Sequence, residues 1–397
     1  MGRSRFSNSL AFRQVGAYRR AMQDTDEDDA QEAFEAAFGV AVGRLGPRVL
    51  DGLSALEQAF RRLHPPAFPA LRTYLSPVLE ALDGAIGPFE SLLTPPALEA
   101  FHADLLESAR LTRGALAGLV EQSGGEQGRE QGAAGALQAM HQHAQAQAQL
   151  YALRTVLPPV SAYFAEPFAR DNLASLEAMP SDQGEDSNRL GLFRSGEVGA
   201  RGGFDLYVPE SYPLDGGEKW PLVVALHGGA GHGADFIWTW LREARSRRFL
   251  LLAPTSLGST WSLNAPATDG AALAQAVEWV SQSWRVDRDR VLLTGLSDGA
   301  TMTLLVGAAE AARYTHLAPV SGVLHPMNFA IGNLERVRGR PIFLVHGALD
   351  WMFPVALARD AARVLGEAGA QLTFREIEDL SHTYPREVNA EIMEWIG

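Results

Sequence analysis

A chain of 397 residues, 46% hydrophobic and 20% charged, is too long for one ordinary small domain and too apolar to be mostly disordered, so two domains are expected. The absence of cysteine excludes a disulfide framework, a thiolate metal site, an iron–sulfur cluster and a cysteine nucleophile. A formal net charge of −13 argues against nucleic acid or an anionic membrane surface as the main partner, because both require a cationic face.

The chain opens with Arg3, Arg5, Arg13, Arg19 and Arg20, followed by the acidic run Asp24, Asp26, Glu27, Asp28 and Asp29. Residues 1–29 therefore read as a solvated, poorly ordered terminus. No apolar stretch long enough for a signal-peptide core or a membrane span follows, and a soluble, cytoplasmic protein is expected. From 30 to 179 the pattern is helical. Val49, Leu50, Leu53, Leu56, Phe60 and Leu63 recur at three- and four-residue spacing and share one helix face. Similar stretches near 66–93, 96–122 and 134–157 are punctuated by Pro65-Pro66, Pro95-Pro96 and Pro158-Pro159. The Gly-, Gln- and Glu-rich segment 121–135 reads as a flexible loop. His141 and His143 lie two residues apart, about 200° around a helix, and cannot share a metal ion; a solvated helix surface is their expected setting. The apolar stripes must be buried in their own bundle or on a partner or second copy, and the sequence leaves that choice open.

Residues 180–189 are polar and acidic and read as a linker. All eight tryptophans follow it. An antiparallel pair near 191–208 opens the second domain. Short apolar runs at 223–226, 249–253, 291–294 and 342–345 then alternate with helical stretches around 233–246, 271–284, 299–312 and 355–368, and a last strand is expected at 372–377. Such runs are expected of parallel strands buried on both faces. Strand and helix in alternation predict a doubly wound, mostly parallel α/β sheet over 190–397, preceded by the all-α region.

Gly295-Leu296-Ser297-Asp298-Gly299 sits between a strand and a helix. A sharp strand-to-helix turn exposes a serine hydroxyl there, and the glycines allow the close packing of the two elements. Leu226-His227-Gly228-Gly229-Ala230-Gly231 follows an earlier strand, and a backbone free of bulky side chains can aim an amide at a developing oxyanion. Gly229 is the first choice for that donor and Ala230 the second, with the amide of Asp298 completing the hole. Asp350 ends a further strand and His382 lies in the loop after the last one, so the order is serine, acid, histidine. Asp379 is the runner-up acid. His227 is expected to brace the oxyanion loop and His346 to be packed in the core. His232, His316 and His325 fall in loops or at strand ends. Trp238, Trp240, Trp261, Trp351, Met352 and Phe353 are candidates for an apolar acyl pocket, though core packing accounts for them as well.

These motifs, together with the block from Val345 to Val355 and Ser381-His382 ahead of a terminal helix, resemble the α/β-hydrolase superfamily, and within it the phospholipase/carboxylesterase group that includes acyl-protein thioesterases. The resemblance covers about half of the chain and departs from the family in Asp298 and in the helical N-terminal half. It implies a serine hydrolase of small-molecule carboxylic esters or thioesters, with Ser297 as nucleophile, His382 as base and Asp350 as its orienting acid. No metal or organic cofactor is implied. Two alternatives stand beside it: a serine peptidase of the prolyl-oligopeptidase kind, whose propeller is at odds with a helical N-terminal half, and a non-catalytic relative acting as an interaction module.

Overall fold

The structure is a computed structural model that describes residues 28–121, 127–177, 189–197, 199–310 and 312–397. The expected disordered terminus, up to residue 27, and nearly all of the expected linker lie outside them. The chain divides into two compact units, with the boundary between Leu173 and Ala174.

The first unit is helical: α1 (Asp28–Arg61), α2 (Phe68–Glu90), α3 (Glu99–Val120), α4 (Gln127–Tyr151) and the short α5 (Pro158–Tyr163). The proline pairs act as expected, each opening a short 3-10 turn or a helix. Val49, Leu53, Leu56 and Phe60 of α1 are buried with Leu75, Leu82 and Phe89 of α2, Leu105 and Leu116 of α3 and Leu150 of α4. These apolar side chains of the four helices thus bury one another inside this unit.

Two expectations fail here. Helix α4 begins at Gln127, inside the segment read as a loop, because Gln, Glu, Arg and Ala are good helix formers and outweigh the interspersed glycines. His143 is buried rather than solvated. Its Nε2 lies 3.2 Å from Leu53 O, and its ring packs edge-on against Phe60 at 5.5 Å. The backbone carbonyl satisfies a polar ring that helical periodicity alone would have left in water.

The second unit contains an eight-stranded sheet in the order β1-β2-β4-β3-β5-β6-β7-β8. Its strands are β1 (Gly191–Ser195), β2 (Phe204–Val208), β3 (Trp220–Leu226), β4 (Leu250–Pro254), β5 (Val286–Leu296), β6 (His316–Val320), β7 (Pro341–Gly347) and β8 (Gln371–Ile377). β1 and β2 pair antiparallel, β2 runs antiparallel to β4, and every other pair is parallel. This is the doubly wound, mostly parallel α/β sheet the sequence predicts. β3 and β4 are buried along their whole length, whereas β8, at the edge, alternates. Strand β6 has no counterpart in the sequence reading; it carries Pro319 inside a central five-residue strand, in register with Gly295 of β5. The main helices are α8 (Leu241–Arg247), α9 (Ala267–Ser283), α10 (Asp298–Gly307), α13 (Val355–Glu367) and α14 (Val388–Trp395), after α6 (Leu173–Glu177) and α7 (Gly233–Phe236), with the short α11 (Met327–Ala330) and α12 (Asn333–Arg336) between α10 and α13.

The strand order reverses at β3. The chain runs from β3 to β4 on one side and then crosses to β5 on the other. Loops after β3 and β5 therefore diverge from neighbouring strands and leave a crevice at their carboxyl ends, where doubly wound sheets bind ligands.

Arg245 of α8 is fully buried, and its guanidinium pairs with the carboxylate of Glu177 in α6. The segment just ahead of the expected linker is thereby tied into the second unit. Removing one partner of a buried pair strands the other charge. Glu177→Ala is expected to lower stability by about 3 kcal/mol, the lower end of the usual range because Glu177 is partly exposed. Urea unfolding of the full chain checks this, and a change below about 0.5 kcal/mol would show the pair to be dispensable.

Candidate active site

Ser297 follows β5 with φ 57° and ψ −117°, a region a non-glycine residue occupies only when its surroundings hold it there. Its amide donates to Val320 O of β6 at 3.0 Å, and its carbonyl accepts from Thr301 N at 2.9 Å. Pairing of Leu226 with Gly295 brings the end of β3 alongside, and a Cβ on Gly299 would run into Leu226 O. Among the described residues four non-glycine residues have positive φ, and three of them, Ala230, Ser297 and Ser321, follow β3, β5 and β6 at the same end of the sheet. Backbone strain concentrates where sites are built.

The acid and the histidine meet in the loops after β7 and β8. His382 Nδ1 donates to Asp350 Oδ2 at 2.8 Å, which fixes the tautomer with Nε2 bare, the form a general base needs. Asp350 Oδ1 accepts the amides of Met352 and Phe353 at 3.0 and 2.8 Å, so the buried carboxylate is fully bonded. The imidazole turns to Asp350 and not to Asp379, and its ring packs edge-on against Phe353. Close approach of the two loops depends on Gly347, where a Cβ would strike Leu380 O. His346 is buried, as expected, but it also touches the acid. Its Nε2 lies 2.7 Å from Phe353 O and 3.3 Å from Asp350 Oδ2. Burial pushes its pKa below the usual range, and its Nε2 hydrogen bond goes to Phe353 O, with Asp350 a close neighbour and not a partner in an ion pair.

The glycine-rich loop after β3, the candidate oxyanion loop, is held by side chains from several directions. His227 Nδ1 donates to Gly228 O at 2.6 Å, its Nε2 accepts from Ser256 N at 3.0 Å, and Trp261 Nε1 donates to His227 O at 2.7 Å. Arg201 donates from Nη1 to Gly231 O at 2.6 Å and from Nε to Gly258 O at 2.7 Å, and also to Ser259 O. Asp269 accepts the amides of Leu257 and Ser262. One expectation is corrected: the amide of Ala230 donates to Ser259 O at 3.0 Å and is spent on holding the loop. Gly229 and Asp298 remain as candidate donors. Asp298 starts α10, where the first amides have no partner within the helix.

Arg201, Thr260 and Asp269 escape the sequence pattern. They act from the β1–β2 connection, the loop after β4 and the first turn of α9, and no local spacing connects them to the β3 loop. Trp238, Trp240 and Trp261 are core residues, whereas Trp351 and Met352, next to Asp350, are 44% and 50% exposed and sit at the rim. Among the described residues no group of three His, Cys, Asp or Glu side chains is placed to hold a metal ion. Nor is any helix among them long and apolar enough to cross a membrane.

A mostly parallel eight-stranded sheet behind an antiparallel entry pair, with a strained serine turn after β5 and a histidine–aspartate pair after β7 and β8, defines an α/β-hydrolase fold. Within that superfamily the chain resembles the phospholipase/carboxylesterase family: residues 272–397 match the family model described as Phospholipase/Carboxylesterase. An acetylxylan esterase of Coprinopsis cinerea is 30% identical over 100 residues, 22% of this chain and 27% of that protein. Acetylxylan esterase A of Aspergillus awamori is 28% identical over 134 residues, 30% of this chain and 42% of that protein. The chain thus spans less than half the length of either relative. A solved phospholipase/carboxylesterase from Dyadobacter fermentans is 22% identical, with 44% of this chain and 91% of that chain covered and a TM-score of 0.36.

Burial lowers the pKa of His227 from near 6.5 to about 4. In the unfolded chain this histidine takes up its proton first, so between pH 6.5 and 4 stability falls as pH falls. From pH 7 to 5 the wild type is expected to lose about 2 kcal/mol more than His227→Gln. Urea unfolding at the two pH values measures the difference; identical pH dependences would contradict a neutral, buried His227.

Proposed function

We propose that the second unit is a serine hydrolase of carboxylic ester or thioester bonds, with Ser297 as nucleophile, His382 as general base and Asp350 as the acid that orients it. The observation that carries this reading is the 2.8 Å bond between His382 Nδ1 and Asp350 Oδ2, at the same end of the sheet as the strained Ser297. In the first step His382 Nε2 takes the proton of the Ser297 hydroxyl as its oxygen attacks the substrate carbonyl. The amides of Gly229 and Asp298 stabilise the oxyanion, at roughly 3 kcal/mol per donor. The histidine then hands its proton to the departing alcohol or thiol, leaving an acyl-serine. Water, deprotonated by the same nitrogen, hydrolyses the acyl-enzyme and restores the hydroxyl. No step requires a metal or an organic cofactor.

The names of the two acetylxylan esterases put acetyl esters first among substrates to try. Hydrolysis of p-nitrophenyl acetate, longer p-nitrophenyl esters, acetyl thioesters and aminoacyl amides separates esterase from peptidase. Ser297→Ala is expected to lower kcat/KM at least 10³-fold, and Asp350→Asn about 10⁴-fold, because the wrong histidine tautomer would be favoured. A Ser297→Ala variant within tenfold of wild type would overturn the assignment, and faster cleavage of amides than of esters would favour a peptidase.

A further inference from the structure

The residue after the candidate nucleophile is an acid, and its carboxylate lies over the oxyanion loop. Asp298 Oδ2 accepts the hydroxyl of Thr260 at 2.5 Å, and a Cβ placed on Gly229 would be 2.9 Å from the same oxygen. One carboxylate oxygen is therefore fixed beside the glycine whose amide is a candidate oxyanion donor. The other, Oδ1, has no protein partner and is open to solvent. Among the described residues no cation pairs with Asp298. The nearby Arg201 is committed to the carbonyls of Gly231, Gly258 and Ser259. Asp350, the other acid of the site, is buried and fully bonded. The open face of the site thus carries a carboxylate to which no cation is bonded, its charge moderated only by the N-terminus of α10 and by the Arg201 guanidinium held on the carbonyls.

A negative charge beside an oxyanion hole raises the energy of any substrate that brings a second anion close to it, and low-dielectric walls strengthen the effect. The same charge favours a substrate group that is cationic or that donates a hydrogen bond to Oδ1. Selectivity by repulsion needs no tight pocket, only an unpaired charge in the right place. We propose that Asp298 is a specificity-determining residue that restricts the site to esters with neutral or cationic groups near the scissile carbonyl and rejects esters with a carboxylate or phosphate there. This rests on the reading of Ser297 as the nucleophile of an ester hydrolase.

Three p-nitrophenyl esters of similar length test it on the full chain: the butyrate, the hemiglutarate and the 4-(trimethylammonio)butyrate. The wild type is expected to prefer the neutral and cationic esters to the hemiglutarate. Asp298→Asn, which keeps an acceptor for Thr260, is expected to raise the hemiglutarate-to-butyrate ratio of kcat/KM at least tenfold, about 1.4 kcal/mol, and to lower the ratio for the cationic ester. Asp298→Glu, which keeps the charge, retains the wild-type order. Raising NaCl from 20 to 500 mM narrows the wild-type discrimination against hemiglutarate by screening, a readout that does not depend on any variant folding. Ratios unchanged in Asp298→Asn and insensitive to salt would overturn this inference while the esterase reading stands. A wild-type chain that hydrolyses none of the three esters would overturn both.

Discussion

Pairing of β3 with β5 sets Leu226 beside Gly295, and from that register the two loops that follow these strands must share one crevice. The register is fixed by burial: both strands are apolar on both faces in this region, so a one-residue slip would turn every side chain toward the wrong layer. Gly299 then lets α10 leave β5 directly over Leu226 O, and the sharp exit forces Ser297 into its strained conformation. The strain is held by the Ser297 amide on Val320 O, so β6 supports the turn from the far side. A parallel sheet with short crossovers leaves the Ser297 turn, the glycine-rich loop after β3 and the Asp350–His382 pair at one end with little freedom among them.

Two different kinds of support surround that end. The acid–histidine pair is satisfied locally: Asp350 takes two amides from its own loop, and His346 comes from the strand that carries it. The loop after β3 is supported from a distance, by Arg201 out of the β1–β2 connection and by Ser259 and Trp261 of the loop after β4, a loop that Asp269 holds in turn. A donor aimed at a developing charge must be fixed before the charge appears, and backbone alone does not fix a run of glycines. His227 shows the same logic in reverse: its ring sits between a carbonyl and an amide, and burial keeps it neutral so that it can serve both.

Much of this is legible in the sequence, for identifiable reasons. Apolar runs and three- and four-residue stripes report burial, and burial decides where strands and helices lie, so the α/β sheet, the antiparallel entry pair and the helical unit can be read directly. Ser297, Asp350 and His382 stand out as candidates because each follows a strand in a fixed chain order, and two of them, Asp350 and His382, are hydrogen-bonded in the structure. What escapes a sequence reading depends on contacts distant in the chain. Strand β6, with Pro319 inside it, is defined by its pairing with β5, where Pro319 lies in register with Gly295. His143 looks solvated because nothing near it in sequence shows that Leu53 O would be its partner. The engagement of the Ala230 amide by Ser259, and the bracing by Arg201, join segments that share no local pattern.

The central claim is that the strained serine after β5 is the reacting group, and covalent trapping tests it most directly. A fluorophosphonate should add one phosphonyl group to the full chain, and peptide mapping should place it on Ser297, with Ser297→Ala unlabelled. An adduct on another residue, or equal labelling of the Ser297→Ala variant, would contradict the account.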